Sequence, residues 1–164
     1  RRLFKGAGKY AGELGHVVVH PDGKQCRCGN RGCLEAYASE TAILPEFNKV
    51  LKEPLSRLAY YEPGTLPEAE FNRIRDHLAE EVGRGLAAVV NILCPRVIIL
   101  TGTITDLFGE SLIAPVKKNV ERSCLQGCFE NTNIYISKLE LLDALGAATL
   151  PLADIFEVPD YYYV

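Results

Sequence analysis

One long stretch of the sequence has a clear helical period. In residues 67–93, apolar side chains recur at steps of three and four, which places them on one helix face. They are Phe71, Ile74, Leu78, Val82, Leu86, Val90 and Leu93. Pro67 suits the first turn of a helix. Gly83 and Gly85 lower the intrinsic helix propensity, so we expect a neighbouring element to pack closely against them.

Shorter apolar segments predict strands. The continuous run at 97–100 is typical of a buried parallel strand, and residues 133–137 alternate as a strand does. A third strand is predicted at 15–20, ending in the Pro-Asp-Gly turn at 21–23. Further helices are predicted at 34–40, 47–61, 107–124 and 144–156. Pro45 is expected to break or kink the first of these helices. This order of elements predicts an α/β sheet covered by helices.

Length and charge narrow the function classes. The 164 residues, 48% of them hydrophobic, are enough for one domain with a real core. A net charge of −3 provides no electrostatic footprint for nucleic acid. No apolar run reaches the length of a membrane span, so no membrane segment is expected. The chain contains no methionine, and we expect it to be the C-terminal part of a longer protein.

Three cysteines and a histidine lie within eighteen positions near the start of the chain. His16, Cys26, Cys28 and Cys33 form a complete ligand set for a tetrahedral zinc ion. Thiolates and neutral imidazole suit zinc better than they suit hard cations. Disulfides are the alternative, because six cysteines is an even number. However, Cys26 and Cys28 are too close to pair comfortably, and the chain lacks the character of a small disulfide scaffold.

The residues around these cysteines add detail. Gly29 and Gly32 are expected to take positive φ angles in a tight turn around the metal. His20 would share a strand face with His16, so spacing alone does not decide which histidine binds the metal. Glu13 and Glu35 are carboxylates on either side of the ligand set.

This segment resembles the signature of the ROK family, which contains repressors, open reading frames and kinases. The signature is Gly-Glu-x-Gly-His followed by Cys-x-Cys-Gly-x-x-Gly-Cys-x-Glu, and every position is filled at 12–16 and 26–35. The resemblance implies a structural zinc bound by His16, Cys26, Cys28 and Cys33. It implies a sugar pocket lined by Glu13, His16 and Glu35. His20 is outside the family pattern, so we interpret it as a surface or strand residue.

The resemblance also implies a fold. Residues 1–164 would form the C-terminal half of an actin-like, ribonuclease-H-like sugar kinase fold with a zinc knuckle, without the N-terminal half. In the kinases of this family, residues equivalent to Gly102, Thr103 and Gly146 approach the nucleotide. Thr101 stands where the family usually has a glycine. Its side chain would either crowd the nucleotide or cap the turn.

Two functions follow from the resemblance. Family kinases take their phosphate loop and catalytic aspartate from the N-terminal half, so no catalytic residue is assigned here. The Tyr-Ala-Ser-Glu sequence at 37–40 is similar to xylose-type repressors of the family. We therefore predict the sugar-sensing domain of a cytoplasmic, homodimeric repressor that binds a monosaccharide, and binds DNA through an upstream helix-turn-helix. The alternative is an ATP- and Mg²⁺-dependent hexose or amino-sugar kinase.

The other three cysteines receive simpler interpretations. Cys124 and Cys128 have the spacing of one helical face, but the sequence places no histidine or further cysteine beside them. We predict ordinary thiols at both positions. Cys94, next to Pro95, is predicted to be a core residue.

Overall fold

A computed structural model describes residue 4 and residues 6–137, 139 and 142–155. The chain divides into two compact units: Leu14–Ile136, and Arg1–Glu13 together with Ser137–Val164. The helices and strands of the described residues are α1 (Glu35–Ala38), α2 (Glu40–Asn48), α3 (Glu68–Leu93), β1 (Val97–Leu100), α4 (Thr103–Phe108), α5 (Ile113–Ser123), α6 (Gln126–Glu130), β2 (Asn133–Ile136) and α7 (Leu142–Ile155). Short 3-10 helices are Leu14–His16, Leu58–Tyr60 and Gly109–Leu112. None of the helices in these ranges has the length and apolar character needed to cross a bilayer.

The predicted long helix is confirmed as α3, and it forms the centre of the larger unit. Pro67 is its N-cap residue, and the apolar face packs into the main core. The fully buried core residues contributed by α2, α3 and α5 include Phe47, Ile74, Leu78, Val90, Val116 and Val120. A Cβ atom on Gly83 would collide with Asn119 of α5, and one on Gly85 would collide with Leu34. The predicted close packing at both glycines is therefore confirmed.

The two strands pair in parallel, as predicted, so the unit is a mixed α/β structure. Val97 is opposite Asn133, and Leu100 is opposite Ile136. The expectation that β1 is buried on both faces was wrong, because Val97 and Ile99 are 51% and 58% exposed. The alternate side chains of β1 and β2 pack against the helical core of the larger unit.

The strand predicted at 15–20 is not formed. Leu14–His16 is a 3-10 helix, and Val18 makes only an isolated antiparallel bridge to Cys33. The backbone groups of this apolar run bond to the cysteine loop instead: the Leu34 N–H donates to the Val17 carbonyl at 2.9 Å. The turn at 21–23 is confirmed by a 3.0 Å bond from the Gly23 N–H to the His20 carbonyl.

The helix predicted at 34–40 is interrupted at one residue. Ser39 is extended, and its hydroxyl oxygen accepts the Ala42 N–H at 3.2 Å, so it caps α2. Pro45 lies inside α2 and does not break it. In this short helix the proline removes one backbone bond, while the burial of Ile43 and Phe47 holds α2 on the core.

The other predicted helices differ in extent. The helix at 47–61 was wrong, because the Asn48 side chain bonds both backbone groups of Leu55 and closes a loop after α2. The helix at 107–124 begins earlier, at Thr103, and is interrupted at Gly109, whose φ of 54° and ψ of −149° are not helical. Helix α6 was not predicted. The last helix is confirmed as α7, and residue 156 of that prediction lies outside the described residues.

Candidate metal centre

Four donor atoms gather at one point of the larger unit. Those of His16, Cys26, Cys28 and Cys33 all lie within 4.8 Å of one another. The Cys28 and Cys33 sulfur atoms are 3.7 Å apart, and Cys26 Sγ is 3.8 Å from His16 Nδ1. A tetrahedral site with metal–sulfur bonds of about 2.3 Å has ligand sulfurs about 3.8 Å apart. The four side chains could therefore hold one metal ion in a closed tetrahedral shell.

Backbone hydrogen bonds shape the loop that carries the cysteines. The Cys26 N–H donates to the Asn30 carbonyl at 2.8 Å, and the Gly29 N–H donates back to the Cys26 carbonyl at 3.1 Å. Gly29 and Gly32 have φ angles of 97° and 79°, which confirms the expectation of positive φ. At Gly32 a Cβ would also collide with the His20 carbonyl. Glycine is therefore required at position 32, and the turn buries Cys26 and Cys33 while Cys28 stays exposed.

The thiols in this group have different environments. Cys33 is fully buried, and burial, reinforced by the neighbouring thiols of Cys28 and Cys26, raises its pKa to about 12. A hydrogen bond from the Asn30 backbone lowers the pKa of Cys28. A buried thiolate needs a compensating cation. The Cys33 thiol would therefore release its proton when a metal ion binds.

Glu35 lies directly beside the four donor atoms. Its Oε2 is 3.6 Å from His16 Nδ1 and 3.7 Å from Cys26 Sγ, and its Oε1 pairs with the Arg27 guanidinium. As the first residue of α1, it is fixed two positions after Cys33. The same Nδ1 atom of His16 faces Cys26, so the other ring nitrogen of His16 is not needed for a metal bond.

A groove of about 230 Å³ adjoins this group, and Glu35 forms part of its wall. The lining residues are Lys24, Gln25, Cys26, Arg27, Glu35, Ala36, Ser39, Thr41 and Ala42. The groove therefore offers hydrogen-bond donors, a carboxylate acceptor and hydroxyl groups that do both. Glu13, the other predicted pocket acid, is an exposed residue of the smaller unit.

The residues predicted to approach a nucleotide are in different units. Gly102 follows β1 with a φ of 105°, and Thr103 begins α4. The Thr105 hydroxyl, rather than that of Thr101, closes this turn by donating to the Gly102 carbonyl at 2.7 Å. Gly146 belongs to the smaller unit, in the second turn of α7, where the Thr149 hydroxyl donates to its carbonyl at 2.8 Å.

His20, interpreted from sequence as a surface or strand residue, binds a buried acid. Its Nε2 is 2.6 Å from Oε2 of Glu81, a residue of α3 that is only 3% exposed. The His20 ring also packs 4.6 Å from that of Tyr37. Because a buried carboxylate requires a partner, His20 anchors the cysteine loop to α3. This pair could have been predicted from the position of Glu81 in the sequence. Glu81 comes three residues after Leu78 and so lies on the apolar face of α3.

The interpretation of the other cysteines needs two corrections. Cys94 is exposed, because it ends α3 in the left-handed conformation and lies outside the core. Cys128 has a further cysteine near it after all, because the Cys94 thiol, together with burial, raises the pKa of Cys128. The helical segment between β1 and β2, which contains α4, α5 and α6, returns the chain to the end of α3, where Thr132 bonds the Pro95 carbonyl, and local spacing does not reveal that return.

Comparisons with known proteins identify relatives of both functional classes. The chain is 32% identical to the xylose repressor of Caldicellulosiruptor bescii, over 98% of this chain and 43% of the repressor. It is also 32% identical to the glucokinase of Thermotoga maritima, over 90% of this chain and 51% of the glucokinase. The chain thus spans about half the length of these curated relatives.

The structure is similar to that of a ROK hexokinase from Thermus thermophilus. The TM-score is 0.73 at 28% sequence identity, and the match covers 94% of this chain and 53% of the hexokinase. The family model described as the ROK family matches residues 1–153. The match extends over nearly the whole chain and includes both signature elements, and the chain belongs to the ROK family.

Proposed function

We propose that this chain is the sugar-sensing part of a ROK-family transcriptional repressor and binds a monosaccharide beside a structural zinc ion. The observation that carries the proposal is the position of Glu35. Its carboxylate contacts two of the four candidate metal ligands and also forms part of the adjoining groove. A metal that orders the loop would therefore also fix a sugar-binding group.

Zinc is the metal that the donor set favours. Three thiolates and one imidazole are soft and borderline ligands, and the spacing of their donor atoms fits a tetrahedral shell. Zinc, when bound, would cross-link the loop and have a structural role. It would have no open coordination position, because protein side chains would fill all four positions. His16, Cys26, Cys28 and Cys33 would hold the start of α1, and thereby Glu35, in one orientation.

The groove suits a polyhydroxylated ligand. Sugar hydroxyls both donate and accept hydrogen bonds, and the groove presents the Glu35 carboxylate beside amide, ammonium and guanidinium donors. We assign the Glu35 carboxylate as an acceptor for sugar hydroxyls and the second ring nitrogen of His16, which carries the N–H when the first binds zinc, as a donor to a sugar oxygen. Glu13 is proposed as a third sugar-binding residue.

The repressor mechanism is a shift between two states of a dimer. A sugar that binds one state more tightly moves the equilibrium toward it, and the two states differ in DNA binding. DNA would be contacted by a helix-turn-helix outside the 164 residues. This class is supported by the likeness to the xylose repressor over 98% of the chain. Thr101, in place of a family glycine, also favours a chain that does not use ATP.

A sugar kinase is the second candidate. The likeness to a glucokinase and to a ROK hexokinase structure favours it. In that case Gly102, Thr103 and Gly146 would approach ATP and its Mg²⁺. Gly102 has a φ of 105° at the carboxyl end of β1, where a backbone without a side chain allows a phosphate to come close. The catalytic residue would lie outside the 164 residues, in the actin-like body that the family resemblance implies.

Calorimetry on the zinc-loaded chain tests the binding site. Titrations with xylose, glucose and N-acetylglucosamine identify the preferred sugar, and Glu35→Gln is then compared with Glu62→Gln, a change outside the groove. We expect Glu35→Gln to weaken binding of the preferred sugar at least tenfold while zinc content stays unchanged. Equal affinities in the two variants would remove Glu35 from the pocket. Operator release by sugar, or ATP-dependent phosphorylation by the full-length protein, then separates the two functions.

A further inference from the structure

The three thiols of the candidate metal centre have different partners. Cys28 Sγ and Cys33 Sγ are 3.7 Å apart and share a hydrogen bond. The Cys26 thiol instead donates to Glu35 Oε2 at 3.7 Å and is 3.8 Å from His16 Nδ1. Cys28 and Cys33 are therefore a pair in direct sulfur contact, while an acid and an imidazole are the partners of Cys26.

Solvent reaches one thiol of this pair. Cys28 is exposed, whereas Cys26 and Cys33 are buried. Arg27 and Arg31 are on either side of Cys28 in the sequence and are exposed as well. Accessible thiolates in electropositive surroundings are the ones that react with small electrophiles. A small oxidant would therefore meet Cys28 first, and Cys33 is in contact with the sulfur that it meets.

A covalent link between these two sulfur atoms needs only a local movement. Disulfide sulfurs are about 2.05 Å apart, so the 3.7 Å separation has to close by about 1.7 Å. The exposed Cys28 side chain can rotate to supply this shift. Cys26 is a poorer partner for Cys28, because a single residue separates them in the chain and its thiol is hydrogen-bonded to Glu35.

We propose that Cys28 is a site of oxidation by hydrogen peroxide, and that oxidation links it to Cys33 and releases the zinc ion. This inference rests on the zinc site of the proposed function. The Cys28 thiolate attacks one peroxide oxygen, the O–O bond breaks, and a sulfenic acid and hydroxide form. The Cys33 thiolate then attacks the Cys28 sulfur and expels a second hydroxide. In sum, two thiolates lose two electrons, and the peroxide is reduced to two hydroxide ions.

The link would remove two of the four metal ligands. His16 and Cys26 would remain, and a structural zinc site needs four ligands. Glu35 contacts both of the remaining side chains and comes two residues after Cys33. Oxidation would therefore release the groove carboxylate from the position that the metal fixes, and sugar binding would respond to peroxide.

Zinc release from the zinc-loaded chain tests the proposal. The wild type is compared with a variant in which Cys94, Cys124 and Cys128 are all serine, so that only the three candidate metal ligands remain as thiols. Hydrogen peroxide is added, and free zinc is followed with a colorimetric chelator. We expect both proteins to release one zinc ion per chain at the same rate, and to rebind it after reduction by a phosphine. Zinc that stays bound while the thiols are oxidised would overturn the proposal.

Peptide mapping of the same samples identifies the linked pair. Trypsin cleaves after Lys24, Arg27 and Arg31, which places the three thiols in the separate peptides 25–27, 28–31 and 32–49. After alkylation under denaturing conditions, we expect peptide 28–31 linked to peptide 32–49. A link that involves peptide 25–27, in place of this one, would contradict the assignment.

Metal-free variants separate this inference from the proposed function. A chain that never binds zinc would contradict the zinc site, but the stripped chain should still form the link between Cys28 and Cys33 on oxidation. Cys26→Ser is the matched control and should form it as the stripped wild type does, whereas Cys28→Ser should form none. Cys33→Ser, oxidised in the presence of dimedone, should carry the sulfenic acid adduct on peptide 28–31. An adduct on peptide 25–27 instead would show that Cys28 is not the thiol attacked first.

Discussion

The chain contains two three-cysteine groups that are built in different ways. Cys26, Cys28 and Cys33 lie in one short loop, where backbone bonds and two glycines direct their sulfur atoms to one point next to His16. Cys94, Cys124 and Cys128 come from three segments that Thr132 and Asn91 join. The first group, with the imidazole of His16, is a candidate metal site, and the second is a set of free thiols without a histidine in that arrangement. Local backbone geometry therefore distinguishes a candidate metal site from separate free thiols better than the number of cysteines does.

The largest expected effect comes from removing a thiol of the first group. Cys28→Ser should abolish stoichiometric zinc binding and lower the free energy of unfolding of the zinc-loaded chain by about 3 kcal/mol or more, because metal binding contributes to folding. Mass spectrometry measures the zinc content, and denaturant unfolding measures the free energy of unfolding. Cys124→Ser is the control from the second group and should retain zinc. If Cys28→Ser kept its zinc, the four-residue ligand set would be wrong.

The next largest effect should come from the pair that anchors the cysteine loop to α3. His20→Ala leaves the buried Glu81 carboxylate without its 2.6 Å partner, and we expect a loss of about 2–3 kcal/mol of stability. The double variant with Glu81→Leu should recover part of this loss, because no charge is then left buried. Urea unfolding of the single and double variants gives the coupling energy. Additive losses would show that the two side chains do not interact.

A smaller loss of stability is expected from removing the Thr132 hydroxyl, which joins the segments of the second cysteine group. Thr132→Val keeps the shape of the side chain but removes a hydroxyl that contacts two carbonyls. We expect stability to fall by about 1–2 kcal/mol, with zinc content and the midpoint of zinc loading unchanged. Thermal unfolding and metal analysis check the two parts. A loss of zinc in Thr132→Val would mean that the two ends of α3 are coupled.

The smallest effect lies outside both groups and provides a baseline. Lys49, with a weaker contribution from Arg73, lowers the pKa of Glu46 below its usual 4.5. A lowered folded-state pKa gives stability that is present above the usual carboxyl value and is lost as pH falls through the lowered one. Lys49 is exposed and Glu46 is half-buried, so solvent screens the pair, and Glu46→Gln should cost less than about 0.5 kcal/mol near pH 7. Unfolding curves of the two proteins should converge in acid, and a difference that grows as pH falls would contradict the assignment.

The sequence was most informative where one local pattern decided the structure. The apolar period of α3, the alternation in β2 and the spacing of the first cysteine group all depend on neighbours within a few residues. The ROK signature at 12–16 and 26–35 led to the family that the comparisons confirm. Gly83 and Gly85 predicted close packing, because a glycine inside a helix lowers helix propensity and packing against a neighbouring element can offset that cost.

Tertiary contacts decided the remaining features. The apolar run at 15–20 looked like a strand, but its backbone bonds to the cysteine loop. Ser39 separates α1 from α2 because its side chain caps the second helix. The hydrogen bond from Thr132 to the Pro95 carbonyl and the pair of His20 with Glu81 join residues 37 and 61 positions apart. A local sequence period or spacing cannot predict contacts between residues so far apart in the chain. However, a charged residue on an apolar helix face, such as Glu81, indicates that a buried partner is needed.

The central claim is that zinc and sugar binding are coupled through Glu35, and one titration tests it directly. The preferred sugar is titrated calorimetrically into the zinc-loaded chain, into the chain stripped of metal by a chelator, and into the stripped chain after zinc is restored. The account predicts that affinity falls at least tenfold on stripping and returns with zinc, because the metal fixes the loop that holds Glu35. Equal affinity with and without zinc, in a stripped chain that remains folded by circular dichroism, would contradict it.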